Sequence, residues 1–149
     1  MTSIALKSAL VPVLFSGVTE YTLTTSNVAS DAIPIPFTKR MTLYPYYKAG
    51  VGAVTGVLDI TIEINPYYPS EDPSGAYWSQ ISNFIDTSGV WTEELADYRI
   101  GQGVAGAYRA GSPISLSNID AVQVRFKVKE INPGAAGACK LLLVKNELT

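Results

Sequence analysis

With no histidine anywhere in its 149 residues, this chain must do any acid–base chemistry with carboxylates, lysine or tyrosine. The Ser-His-Asp and Cys-His arrangements cannot be built, and the usual imidazole ligands of zinc, copper and non-haem iron are missing. Serine activated by lysine needs no histidine, yet neither an SxxK nor a GxSxG arrangement occurs. A glycosidase requires two carboxyl groups about 5–5.5 Å apart for retention, or about 6.5–9.5 Å for inversion. Asp59 and Glu63 would share a strand face, but four residues at roughly 3.3 Å of rise hold them about 13 Å apart. That pair fails on distance. Adjacent Glu93 and Glu94, with Asp86 and Asp97 nearby, lack the spacing of a calcium loop and read as a solvated acidic segment. The expectation is a chain with no catalytic residue, no metal and no cofactor.

One cofactor fingerprint matches by letter. Gly101-Gln102-Gly103-Val104-Ala105-Gly106 is G-x-G-x-x-G, and Asp120 follows at a tolerable distance. The motif must leave a buried strand and open a helix whose N-terminus holds a pyrophosphate. Here Asp97-Tyr98-Arg99-Ile100 is polar, and Gly111 with Pro113 would stop a helix at once. It reads as a glycine loop. Gly50, Gly52 and Gly56 likewise lack the Lys-Ser/Thr ending of a phosphate loop.

Binding chemistry is better supplied. Nine tyrosines and two tryptophans are many for this length, and Tyr44, Tyr46, Tyr47, Tyr67, Tyr68, Tyr77, Trp78 and Trp91 lie in or near turns and strand ends. Three roles are open: tryptophans in a core with tyrosines at its rim, anchors of a protein interface, or platforms that stack on glycan faces. Arg125, Lys127 and Lys129 form a basic stripe on one strand, and Asp59 and Glu63 an acidic pair on another. Neighbouring strands would pair these charges across a sheet, whereas separated strands would offer them to other subunits.

The elements that position these residues are strands. Val57 to Asn65 alternates, with Leu58, Ile60, Ile62 and Ile64 directed to a core and Asp59, Thr61, Glu63 and Asn65 to water or a partner. Val122 to Lys129 repeats the pattern through Val122, Val124, Phe126 and Val128. Gly137 to Lys145 is apolar on both sides through Leu141 to Val144, which fits a sandwich interior or a strand also covered by a subunit. Ala9 to Phe15, Val18 to Leu23 and Thr38 to Lys48 also look extended. The segment Asn65 to Gly75 is turn-forming, Ala76 to Ile81 resumes as a strand, and Thr92 to Tyr98 fits one or two helical turns. Eight or nine short strands without βαβ alternation predict an all-β, single antiparallel β-sandwich of jelly-roll type. Residues 1–30 read either as an N-terminal arm or as the first strands, and 31–149 as the sandwich.

Composition agrees with one folded domain. At 47% hydrophobic and 16% charged residues, a chain of this size buries about 68–70% of its unfolded surface and needs no staples. The single Cys139 cannot form an internal disulfide, and with the lack of a glycosylation sequon it fits synthesis in a reducing compartment. A formal charge of −2 gives no general attraction to nucleic acid or anionic lipid, and the interrupted run Ile4 to Val18 is no membrane span.

In style, Leu58 to Asn65, the Pro-rich turn after it, Tyr77-Trp78-Ser79-Gln80-Ile81 and Ile119 to Lys129 resemble small β-sandwich proteins of tailed-phage virions. The likeness covers roughly Lys39 to Lys145 and is a pattern without a motif. It implies a jelly-roll subunit that decorates or cements a capsid exterior, made in the host cytoplasm and often trimeric, with the major capsid protein or other virion subunits as partners. A tail or baseplate location and a carbohydrate-binding module are the alternatives. Tyr46, Tyr47, Tyr67, Tyr68, Arg125, Lys127, Lys129 and the first dozen residues are the expected contact residues.

Overall fold

A computed structural model describes residues 6–51, 56–87, 90–95, 97–100, 104–117, 119–131 and 133–148; within 82–97 it describes the backbone alone. Two stretches with alternating patterns, Val57–Asn65 and Gln123–Ile131, pair along their whole length. In chain order the strands are β1 (Leu6–Pro12), β2 (Tyr21–Thr22), β3 (Val28–Ala29), β4 (Ile33–Pro34), β5 (Thr38–Ala49), β6 (Val57–Asn65), β7 (Ser79–Gln80) and β8 (Ser82–Thr87). They continue as β9 (Val90–Leu95), β10 (Asp97–Ile100), β11 (Val104–Ala105), β12 (Arg109–Ala110), β13 (Ile114–Ser117), β14 (Gln123–Ile131) and β15 (Ala138–Leu148). No helix occurs among the described residues.

In the first sheet β15 lies between β5 and β1, with β2 continuing β1's side, while β11, β12 and β13 line the other edge of β5. In the second, β14 lies between β6 and the pair β3 and β4, while β7 and β10 share the far edge of β6. Interrupted strands that share one position count once, so the described strands of these two sheets occupy eight positions. Numbered in chain order, these run 1-8-3-6 in the first sheet and 2-7-4-5 in the second, which is the two-sheet jelly roll. Pairing is antiparallel except for β11, which runs parallel to β5 over two residues. The strands β8 and β9 form a hairpin that belongs to neither sheet.

The core lies between the sheets. Met41, Leu43 and Tyr47 of β5 and Cys139, Leu141 and Leu143 of β15 face Leu58, Ile60 and Ile62 of β6 and Val124, Phe126 and Val128 of β14. Each fully buried aliphatic or aromatic side chain contributes about 1.5–3 kcal/mol, so this facing set dominates the fold's stability.

Three local expectations are corrected. Residues Thr92 to Tyr98 are not helical: β9 pairs with β8 from Val90↔Thr87 to Leu95↔Ser82, and β10 pairs with β6. Valine, tryptophan and threonine at 90–92 favour the extended state. Tyr77 and Trp78 sit in a turn, and only Ser79–Gln80 of the expected strand pairs with β6. Finally, the outward residues of β6 do not meet water: Asp59, Thr61, Glu63 and Asn65 are all buried. Residues 6–12 pair with β15 at every position, and residues 1–5 lie outside the described part.

Candidate interaction surfaces

The outer face of the first sheet is built by the residues of β1, β15 and β5 that alternate with the core set. Register places Val144 between Leu10 and Thr42, and Leu142 between Pro12 and Tyr44; Lys140 stands beside Tyr46. Leu10 is 65% exposed and Tyr44 is exposed, while Leu142, Val144 and Tyr46 are half-buried with nothing of the described chain layered over them as a sheet. This explains why 141–144 is apolar on both sides: Leu141 and Leu143 enter the core, and Leu142 and Val144 join an apolar stripe outside. Strands apolar on both faces are characteristic of sheets covered on both sides.

One end of the stripe becomes charged. Thr19, Tyr46, Tyr108, Lys140, Leu141 and Leu142 line a cleft of about 270 Å³. Lys140 Nζ and Lys48 Nζ stand 4.7 and 5.0 Å from the centre of the Tyr108 ring, in cation–π range, and both approach Glu20, at 3.9 and 3.2 Å. The hydrogen bond from Lys48 holds the Glu20 carboxyl below its usual value against a smaller opposing effect of burial. The Tyr108 hydroxyl is enclosed, and burial with the nearby Glu20 charge raises its pKa. Arg40 stands at the stripe's other end, in register with Asn146.

The outer face of the second sheet is polar and closed by its own chain. Arg125 lies opposite Glu63 and donates to Oε1 at 2.7 Å, and Lys127 reaches Oε2 at 3.4 Å. Arg99 donates to Asp59 Oδ1 at 3.1 Å, and Lys129 lies opposite Asp59 in register. The Arg125 guanidinium also stacks on Trp78, 4.3 Å from the ring centre. Of the two arrangements open for these charges, the strands are neighbours and the charges pair across the sheet. The basic stripe expected to contact a partner is therefore largely spent within the molecule. Trp78, half-buried on this outer face, is not a core residue.

Residues 66–78 form the third surface, and a single carboxylate organises it. Asp72 accepts hydrogen bonds from Asn65 Nδ2 at 2.8 Å and from the amides of Ala76 and Tyr77 at 2.9 and 3.1 Å. Burial alone would raise its pKa, and these donors outweigh burial and lower it. Asn65 Oδ1 accepts from the Tyr67 amide, and Gln123 donates to the Tyr67 carbonyl. The loop so fixed exposes Tyr67, Tyr68 and Tyr77, with the Tyr67 and Tyr77 rings 4.8 Å apart and tilted by 56°.

The expected contact residues thus divide. Tyr67 and Tyr68 are exposed together, and Tyr46 lines the cleft. Arg125, Lys127 and Lys129 lie on the other sheet, apart from Tyr46. Tyr47 is wholly buried, one residue out of phase with Tyr46 on β5, and its hydroxyl donates to the buried Glu130 carboxylate. It is a core residue and not a contact residue. Gly101, Gln102 and Gly103 of the glycine motif, and the side chains of Asp86, Trp91, Glu93, Glu94 and Asp97, lie outside the described part. Among the described residues no group of three or more His, Cys, Asp or Glu side chains converges on a common point. Sequence reading passed over Tyr108, Lys48, Lys140 and Glu20, which are far apart in the chain and meet only through the pairing of β15 and β12 with β5. It also passed over Glu130, although its place as the next inward residue of β14 was visible in the alternation.

No protein-family model and no curated protein matches this sequence. Among solved structures, a chain in the structure of infectious bursal disease virus, Gx strain, is similar with a TM-score of 0.46 and 10% identity, over 95% of this chain and 32% of that one. The present chain therefore spans about a third of that chain's length.

Proposed function

We propose that this protein is a non-enzymatic structural subunit of a virion, a decoration or cement protein of a tailed-phage capsid that stabilises the shell by protein–protein contacts. The observation that carries the reading is the apolar stripe of Leu10, Pro12, Leu142, Val144, Tyr44 and Tyr46 on an outer sheet face. Water alone gives no reason to keep such a stripe, and contiguous exposed apolar patches mark interaction sites. The carboxylates Asp59, Glu63, Asp72 and Glu130 are committed to ion pairs and hydrogen bonds that hold the fold, which supports a role without catalysis. Jelly rolls serve as capsid and lectin domains alike, so the fold is compatible with this reading by analogy and does not by itself choose it. Repetition over a shell multiplies modest contacts into a large effect. The test is a mass-spectrometric inventory of particles purified from cells that make this chain. The expected result is many copies per particle, released from the exterior by mild denaturant; particles without the chain overturn the reading.

The Tyr67–Tyr77 pair favours a second reading, a glycan-binding module in which the prearranged rings stack on sugar faces. Retention on a glycan array that is lost in Tyr68→Ala and Tyr77→Ala, with circular dichroism unchanged, would replace the first reading by the second.

A further inference from the structure

One sheet edge differs from the other three. Among the described residues, β11 with β12 and β13, β3 with β4, and β7 with β10 break their edges into strands of two to four residues, whereas β1 is a single strand of 7. Only β15 pairs with it among the described residues, from Leu6↔Leu148 to Pro12↔Leu142 and without a register shift. The direction of its backbone groups follows from one bond, in which the Val13 amide donates to the Leu141 carbonyl at 2.9 Å. Successive residues of a strand turn their N–H and C=O groups to opposite sides, so Val11 and Ala9 also bond to β15. Leu10, Ser8 and Leu6 therefore direct theirs away from the sheet, and Pro12 offers a carbonyl there without an N–H. Ser8, Leu10 and Pro12 are exposed, Leu10 to 65%. Such an edge is a template for another strand, and proteins ordinarily blunt it with charge, proline or a bulge. Here Lys7 and Pro12 flank a stretch, Ser8 to Val11, that carries no charge.

We propose that β1 of one copy pairs antiparallel with β1 of a second copy across a two-fold axis at Ala9, joining their first sheets into one. An isologous contact must complement itself, and this edge does. Full overlap of Leu6–Pro12 with its twin sets Ser8 opposite Leu10, Leu6 opposite Pro12 and Ala9 opposite Ala9. Ser8 and Leu10 then exchange backbone hydrogen bonds in both directions, and the Leu6 amides reach the Pro12 carbonyls. The N–H that proline lacks is missed only at the outer ends. Sliding the pair until Leu10 faces Leu10 would set Ser8 opposite Pro12 and lose that bond nearer the centre. Lys7 faces Val11 and not its own twin, so like charges are not opposed. The apolar stripe favours the same partner. It runs from Tyr44 through Leu142 and Val144 to Leu10 and stops at this edge. In the pair it continues into the stripe of the second copy, and the two outer faces become one platform. The contact goes beyond the virion reading, which concerns what that platform covers.

Light scattering of the full chain should show a dimer. Leu10→Pro removes an N–H that points out of the sheet, a place where proline is tolerated, and leaves the ladder to β15 whole. It should weaken dimerisation about tenfold or more while the circular-dichroism spectrum stays that of the folded chain. Val11→Pro instead removes a bond to Leu143 and should lower the urea midpoint far more than Leu10→Pro does. Ala9→Cys sets two thiols in a non-hydrogen-bonded pair, about 4.5 Å apart at Cα and within reach of a disulfide. Mild oxidation should link that variant to itself, with the buried Cys139 left out. A strictly monomeric or trimeric wild type, a folded Leu10→Pro chain that dimerises as well as the wild type, or an Ala9→Cys dimer that does not link overturns the inference. Equal loss of stability in the two proline variants overturns it as well, because the outward direction of the Leu10 amide would be wrong. A chain that is abundant in particles yet monomeric overturns this contact alone; one that dimerises as expected but is absent from particles overturns the virion role alone.

Discussion

Glu130 occupies an inward position of β14 that alternation would give to an aliphatic residue, and the structure answers its charge with two donors. The Gly137 amide donates to one carboxylate oxygen at 2.9 Å, and the Tyr47 hydroxyl donates to the other. A Cβ at Gly56 would collide with the Tyr47 hydroxyl, and one at Gly137 with Glu130 and the Lys48 carbonyl, so both glycines are required by close approach. A hydrogen bond to a charged group contributes about 1.5–3 kcal/mol, and removing one partner leaves a buried charge short of a donor. Tyr47→Phe should therefore lower stability by about 1.5–3 kcal/mol in urea titration. Burial first, and then Glu130, raises the Tyr47 pKa above its ordinary value of 10.0. A phenol that resists ionisation when folded contributes stability below pH 10 that is lost as pH climbs above it. The wild type should weaken above pH 10, and Tyr47→Phe should weaken less steeply. The neighbouring Cys139 thiol is pushed up to about 12 by burial and by Glu130. It should ignore thiol reagents at neutral pH and react with one equivalent once the chain unfolds.

At the scale of elements, the loop of residues 66–78 stands on Asp72 as a sheet stands on its ladder. Its carboxyl pKa lies below the ordinary 3.8, so the stabilisation it gives is fully present above that pH and fades as pH falls through the lowered folded value. Acid should free the loop before the sandwich: limited proteolysis after Tyr67 to Tyr77 should rise below pH 4, while Asp72→Asn should be cut at neutral pH and show little further change. The strands were legible in the sequence because alternation at β6 and β14 reports a buried face directly. What covers the opposite face was not legible. Glu63 is buried because Arg125 lies opposite it and stacks on Trp78, from a turn fifteen residues further along the chain. That is a fact of register and loop path, and neither appears in periodicity. The same limit applied to Leu142 and Val144, whose apolar character was plain but whose neighbours Leu10 and Tyr44 come from strands more than a hundred and nearly a hundred residues away.

For the whole molecule, jelly-roll order makes the last strand the keystone. β15 lies between β1 and β5, so the first sheet cannot close until β15 arrives, and Cys139, Leu141 and Leu143 enter the core with it. Folds dominated by such distant pairings search slowly, on a scale of about milliseconds to seconds, and have little independent stability in their parts. By contrast, among the described residues the hairpin of β8 and β9 shares no ladder with either sheet. Two deletions separate these roles. A chain ending at Gly137 loses the strand that bonds both β1 and β5, and should show neither a β-sheet circular-dichroism band nor dispersed amide resonances. A chain in which residues 82–95 are replaced by a short glycine-serine link keeps every strand of both sheets. It should retain the dispersed spectrum and a cooperative urea transition, because the β6–β14 and β5–β15 ladders and the core between them are untouched. Loss of the fold in the second chain would mean that the sandwich depends on the β8–β9 ladder, and the division of the molecule into a self-sufficient two-sheet body and a separate two-stranded ladder would be wrong.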